Sequence, residues 1–178
     1  MGGLSTVMGC GRKPIEVTVT MSGLSGSGKT TILYKCKLGI NQSVNTYPTV
    51  SHLQETIIYK NISFNVVDLG GGAKILPYWL RFFNNAKVLI FVIDSSDHIQ
   101  ISEANYYLHS WITTIENEFI VLIYANKQDL PNAMTVPEII EKLSLNSFKI
   151  PWHIQLASAI NGEGINEGLD WICEKLII

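Results

Sequence analysis

Residues 23–30 read Gly-Leu-Ser-Gly-Ser-Gly-Lys-Thr, the spacing G-x-x-x-x-G-K-[ST], and lie between a β-like run and a helical pattern. Few folds accommodate that arrangement. Glycines let the backbone curl until successive N–H groups point inward, and a helix starting there adds its positive end. Such a cradle holds phosphate oxygens. Lys29 brings a mobile full charge for the outer phosphates, and the Thr30 hydroxyl can ligate Mg²⁺. Gly23, Leu24, Ser25, Gly26, Ser27, Gly28 and Thr31 complete the loop and the first helical turn. The implied ligand is a nucleoside triphosphate, with the base still open.

The rest of the chain is compatible with that reading. Its 178 residues correspond to one domain at roughly 150 residues each. Apolar residues make up 47% and charged residues 16%, which excludes a disordered or acidic-tail protein. A net charge of −2 leaves no general footprint for nucleic acid. Cys10, Cys36 and Cys173 are odd in number and widely spaced, which suits a reducing compartment better than disulfides or zinc. The apolar runs 88–93 and 119–125 fall far short of the ~20 residues a spanning helix needs. No secretory signal is visible, so a soluble intracellular protein is expected.

Residues 1–14 contain five glycines or prolines and no sustained period, so they read as a flexible extension before a domain over 15–178. From Ile15 onward β-like runs alternate with helical patterns, the rhythm of an α/β fold with a mainly parallel sheet. Strands are expected over 15–21, 54–59, 62–67, 86–93, 118–124 and 152–156. The alternation of Ile62, Phe64 and Val66 with Ser63 and Asn65 predicts a hairpin with one wet face, and hence an antiparallel edge. Helices are expected over 29–38, around Ala104, Tyr107, Leu108, Trp111 and Ile115, after a capping box at Thr135–Glu138, and along Ile165, Leu169, Ile172 and Leu176.

Two further clusters narrow the ligand. Asn126-Lys127-Gln128-Asp129 follows a central strand, where open α/β sheets bind ligands. A carboxylate at Asp129 can accept from the N1–H and exocyclic amine of guanine. Adenine offers neither donor on that edge, so it would leave the carboxylate unpaired. Asn126 can bond the purine's other edge, the Lys127 stem can lie along the base, and the Ala159 N–H after Ser158 can reach the guanine oxygen. These residues oppose an ATP-using kinase or ATPase. Near the phosphates, Asp68 is placed to hold Mg²⁺ through water, Thr49 to add a second hydroxyl, and the Gly71 N–H to touch the γ-phosphate. Contacts that exist only while the γ-phosphate is present define an order–disorder switch.

Gly23–Thr30, Tyr47-Pro-Thr49, Tyr59-Lys-Asn-Ile-Ser-Phe64, Asp68-Leu-Gly-Gly71, the 125–133 stretch Ala-Asn-Lys-Gln-Asp-Leu-Pro-Asn-Ala and Glu167-Gly-Leu-Asp-Trp171 together resemble the ADP-ribosylation-factor (Arf) family of small GTPases, with its Arf-like relatives. The resemblance implies a six-stranded sheet and cycling between GTP and GDP with Mg²⁺. It also implies a monomer served by exchange factors, activating proteins and membrane-traffic effectors. The protein would be cytoplasmic and reversibly attached to Golgi or other endomembranes, with a 54–67 hairpin that slides in register between nucleotide states.

Two departures and one N-terminal motif matter. Where the family has a glutamine that orients the attacking water, this chain has Gly72, which predicts slow intrinsic hydrolysis with binding preserved. A partner supplying the missing group, or a GTP-locked scaffold with negligible turnover, stays open. In the family's apolar patch, His52 stands for an aromatic and Val67 for a tryptophan beside Phe82, while Ser51 stands for a glycine, which predicts a shifted effector set. At the N-terminus, Met1-Gly2-Gly-Leu-Ser-Thr6 fits the N-myristoylation pattern at Gly2. One acyl chain anchors only marginally, and Cys10 beside Arg12 and Lys13 is a candidate second, palmitoylated site.

Overall fold

The structure is a computed structural model that describes residues 13–47, 49, 52–70, 80–83, 85–114 and 118–176. Gly2, Cys10, Ser51, Gly71, Gly72 and Ile115 lie outside the described residues.

Among the described residues the elements run β1 (Ile15–Ser22), α1 (Lys29–Leu38), β2 (His52–Tyr59), β3 (Ile62–Leu69), α2 (Leu80–Phe83), β4 (Val88–Asp94), α3 (Gln100–Thr114), β5 (Ile120–Asn126), α4 (Val136–Lys142), β6 (Trp152–Leu156) and α5 (Ile165–Leu176). One six-stranded sheet has the order β2-β3-β1-β4-β5-β6, with β2 antiparallel to β3 and all other pairs parallel. The expected α/β class, strand count and antiparallel edge are all present.

Each sheet face is covered because the central strands are apolar on both sides. Val17, Val19 and Met21 of β1 join Val88, Ile90, Leu122 and Tyr124 beneath α1 (Ile32, Leu33) and α5 (Ile165, Leu169, Ile172). Leu89, Phe91, Val121 and Ile123 face the other way, against α3 (Leu108, Trp111) and Ile139 of α4. The α5 contact is close. Tyr124 Oη donates to the Ile165 carbonyl at 2.7 Å, and a Cβ on Gly168 would lie 2.5 Å from that same hydroxyl oxygen. The expected capping box opens α4, with the Thr135 N–H donating to Glu138 Oε2 at 2.8 Å.

Two details differ from the pattern reading. Ser63 is buried although its neighbour Asn65 is exposed, so the wet face of the hairpin is narrower than the alternation suggests. Ser63 pairs with Glu16 on one side and Ile58 on the other, so it is flanked by strands on both sides. The two central strands also begin and end later than the strands expected over 86–93 and 118–124, at 88–94 and 120–126. That shift makes Asp94 and Asn126 register partners as the last strand residues. Two polar side chains thus stand together at the C-terminal rim of the sheet, where such folds place ligands.

No helix among the described residues is long and apolar enough to cross a membrane.

Candidate functional site

The loop from β1 into α1 is shaped by two close approaches that only glycine permits. Gly23 has φ +140°, and a Cβ there would lie 2.1 Å from the Val92 carbonyl oxygen. Gly28 precedes α1 at φ +96°, and its Cβ would fall 2.2 Å from Asn126 Nδ2. The first keeps the loop flush against β4; the second lets Asn126 touch the loop from across the sheet. Between them Leu24 and Ser27 are buried, whereas Ser25 and Gly26 are exposed. Ser25, Gly26, Gly28, Lys29, Thr31 and Thr46 border a cavity of about 250 Å³, together with Thr30, Tyr47 and Thr49.

Lys29 is only 5% exposed, and its Nζ donates to the Leu24 carbonyl at 2.8 Å. Burial pushes the ammonium down from 10.5 to about 8, with the Asp68 carboxylate pulling the other way. A buried cation so little compensated is stabilised by an anion arriving in the adjoining cavity. Thr30 Oγ1 donates to Asp68 Oδ2 at 2.6 Å and lies 2.9 Å from Thr49 Oγ1, so the three expected metal-binding residues are brought together. Asp68 is fully buried, and its Oδ1 has no hydrogen-bond partner among the described residues. Burial raises its pKa, opposed by the Thr30 hydrogen bond, the Lys29 charge and Thr49. Two hydroxyls and a desolvated carboxylate with an unpaired oxygen are hard oxygen donors of the kind Mg²⁺ takes. Thr31 Oγ1 lies 3.1 Å from Thr46 Oγ1, which ties the 39–49 segment to α1.

At the other end Asn126 acts as a bridge. Its Nδ2 donates to the Ser27 carbonyl at 2.7 Å, and its Oδ1 accepts from the Ala159 N–H at 2.9 Å. The Ala159 N–H, expected to face the purine oxygen, is therefore engaged by Asn126, because the side-chain amide fits between the two loops. Ser158 Oγ donates to Asp129 Oδ1 at 2.6 Å and orients an otherwise exposed carboxylate. Lys127 adopts φ +67°, which turns its stem back across the rim, and its Nζ pairs with Asp94 Oδ2 at 2.6 Å. Burial alone would raise the Asp94 pKa. The hydrogen bonds from Lys127 and Ser96, with the Lys127 charge, outweigh it and hold the carboxyl below its usual range.

Sequence reasoning missed Asp94 and Ser95. Ser95 grips the Asn126 carbonyl through its N–H at 2.9 Å and through its hydroxyl. The available signal was a run of polar residues, Asp94-Ser-Ser96, directly after a buried strand. Of the expected surface patch, the His52 and Phe82 rings sit 5.1 Å apart, and Val67 and Phe82 are half-buried against the same core. His98, His109 and His153 are engaged with the Asn132 carbonyl, the Leu143 carbonyl and the Trp171 ring respectively. Among the described residues no group of side chains forms a His/Cys/Asp/Glu metal cluster.

Comparison with known proteins agrees with this geometry. The structure of the Arl6 BBS3 small GTPase from Trypanosoma brucei, with the bound nucleotide analogue GppNp, superimposes with a TM-score of 0.80. The two sequences are 29% identical, and the match covers 90% of this chain and 96% of that one. The pattern of the ADP-ribosylation factor family matches residues 4–176. The glycine-rich loop and the 126–129 strand end, joined through Asn126 on a six-stranded sheet, are thus the local expression of a kinship that spans nearly the whole sequence: this chain belongs to the ADP-ribosylation factor (Arf) family.

Proposed function

We propose that this chain is a guanine-nucleotide switch that binds GDP and GTP with Mg²⁺ and recruits effectors in intracellular membrane traffic. The observation that carries the reading is the Asn126 bridge between Ser27 and Ala159, because it sets a phosphate cradle and a purine-reading loop at a fixed separation. In this reading Lys29 and the 23–31 backbone hold the phosphates. Thr30, Thr49 and Asp68 hold Mg²⁺, which when bound neutralises phosphate charge. Asp129, held by Ser158, accepts from the guanine amine, which adenine lacks. Gly71 would contact the γ-phosphate.

The reading extends to the 1–14 extension, proposed as a reversible membrane tether acylated at Gly2, ahead of a nucleotide-binding domain over 15–178. The compartment would be cytoplasm and endomembrane. Exchange factors, activating proteins and effectors would be its partners, with a partner set altered by His52 and Val67.

Hydrolysis is proposed to be slow. Glycine at position 72 has no side chain with which to orient a water. Single-turnover GTP hydrolysis of the wild type and Gly72→Gln tests this: the variant is expected to be faster by about tenfold or more. Equal rates would remove Gly72 from the account. The triple glycine 70–72 also favours a second reading, a GTP-locked scaffold. Chromatography of the nucleotide retained after purification separates the two, because a scaffold retains GTP and a slow cycler accumulates GDP.

A further inference from the structure

Two lysines are buried among the described residues, Lys29 and Lys35, each 5% exposed. Lys29 faces the phosphate cradle. Lys35, in the last turn of α1, has no acidic partner among the described residues; its Nζ donates to two backbone carbonyls, Ile40 at 2.8 Å and Ile160 at 3.1 Å. Burying an ammonium is costly unless its protons are accepted, so these two carbonyls are held where the ammonium needs them.

The carbonyls belong to different halves of the site. Ile40 opens the segment that carries Thr46, Tyr47 and Thr49 to the phosphate cradle. Ile160 lies in the turn after β6, next to Ala159, which bonds Asn126, and two residues from Ser158, which orients Asp129. A lysine serving only as a helix cap needs the carbonyls at the end of its own helix, and Ile160 is 125 residues away. A second contact joins the same two segments. Gly162 has φ +83°, and a Cβ there would lie 2.9 Å from both Cβ and O of Ile40. Gly162 N–H in turn donates to the Ser158 carbonyl at 2.7 Å, closing the turn that sets Ser158.

We propose that Lys35 is a positioning residue for guanine recognition: its ammonium clamps the 158–162 turn to the Ile40 carbonyl, so that reading of the purine amine is coupled to the loop entering the phosphate cradle. This rests on the guanine reading above. Loss of the clamp lets the turn shift, Ser158 no longer fixes Asp129, and the contact to the exocyclic amine weakens most.

The full-length chain with Mg²⁺ is titrated with GDP and with inosine diphosphate, which lacks that amine, and melting temperature is followed at saturating nucleotide. Lys35→Met keeps the apolar stem and removes the charge. It is expected to weaken GDP by about tenfold and inosine diphosphate distinctly less, shrinking the preference between them. Lys35→Arg, which restores a cationic donor, is expected to restore the preference. Gly162→Ala forces the same segments apart without touching the lysine and is expected to shift the preference in the same direction. It carries the test if Lys35→Met does not fold. Equal losses for both nucleotides, or none, in Lys35→Met and Gly162→Ala would make Lys35 a helix cap and overturn the proposal. A wild type indifferent to the amine would instead overturn the guanine reading, and this proposal with it.

Discussion

At the end of the site proposed to read the base, Asn126 has its amide nitrogen on Ser27 and its amide oxygen on Ala159, and Asp129 is held by Ser158. At the end proposed to hold phosphate, among the described residues Lys29 reaches a single backbone carbonyl, and Asp68 Oδ1 and Ser27 Oγ are buried without partners. One end is closed by its own hydrogen bonds, and the other buries the opposite charges of Lys29 and Asp68 with fewer hydrogen-bond partners. Ordered donors and acceptors at fixed positions discriminate between bases, because a wrong base leaves them unpaired. Buried charge with too few partners discriminates little but supplies affinity, because an anion and a cation relieve its desolvation.

The largest test of this division is Lys29→Met. Its loss from the cradle is expected to weaken GDP by about a hundredfold to a thousandfold, the cost of removing one partner of a desolvated charge pair. The nucleotide-free protein is expected to melt within a few degrees of wild type, because relief of a poorly hydrogen-bonded buried ammonium offsets the attracting charge that Asp68 loses. A variant that lost stability as well as affinity would show that Lys29 is compensated without ligand, and the contrast between the two ends would fail.

Gly28→Ala attacks the point where the ends meet. The added Cβ would lie 2.2 Å from Asn126 Nδ2 at a backbone φ of +96°, so Asn126 must move and the loop is strained. Affinity for GDP is expected to fall by about tenfold to a hundredfold. Unchanged affinity in a competition titration would show that the Asn126 bridge is not needed to set the spacing.

The smallest effect concerns Asp94, which belongs to the closed end. Its carboxyl is held below the ordinary 3.8 of an aspartate. A depressed folded-state pKa contributes stability that is fully present above the unfolded value and is lost as pH falls through the folded one. Asp94→Asn is therefore expected to lower the melting temperature by about one to two degrees near neutral pH, the scale of a partly exposed ion pair. The gap between variant and wild type is expected to close as the pH falls below 3.8. A gap that did not change with pH would assign the effect to packing.

What the sequence exposed and what it concealed divide along similar lines. The phosphate loop was legible because its residue types are demanded by backbone geometry at fixed spacing, and the 126–129 tetrad because a strand end and a carboxylate imply a place and a chemistry. The cap of α4 was legible because Thr135 and Glu138 interact within one turn. Lys35 was hidden. A lysine in the last turn of a helix reads as a solvated cation favourably placed near the negative helix end, and only the fold carries Ile160 over it. Asp94 was hidden because its role depends on register: β4 and β5 end side by side, which sets Asp94 beside Asn126 and within reach of Lys127. Ser63 misled for a related reason, as strands on both sides, with Glu16 and Ile58 as its register partners, flank it in the sheet. Local chemistry is written in local sequence; contacts across strands wait on tertiary register.

The most direct measurement is calorimetric titration of the purified, nucleotide-free chain with GTPγS and, separately, with ATPγS, both with Mg²⁺. A cradle indifferent to the base, joined to a carboxylate that reads the guanine amine, predicts binding of GTPγS at least about a thousandfold tighter than ATPγS. Equal heats and equal affinities for the two, or no heat from either, would contradict the account.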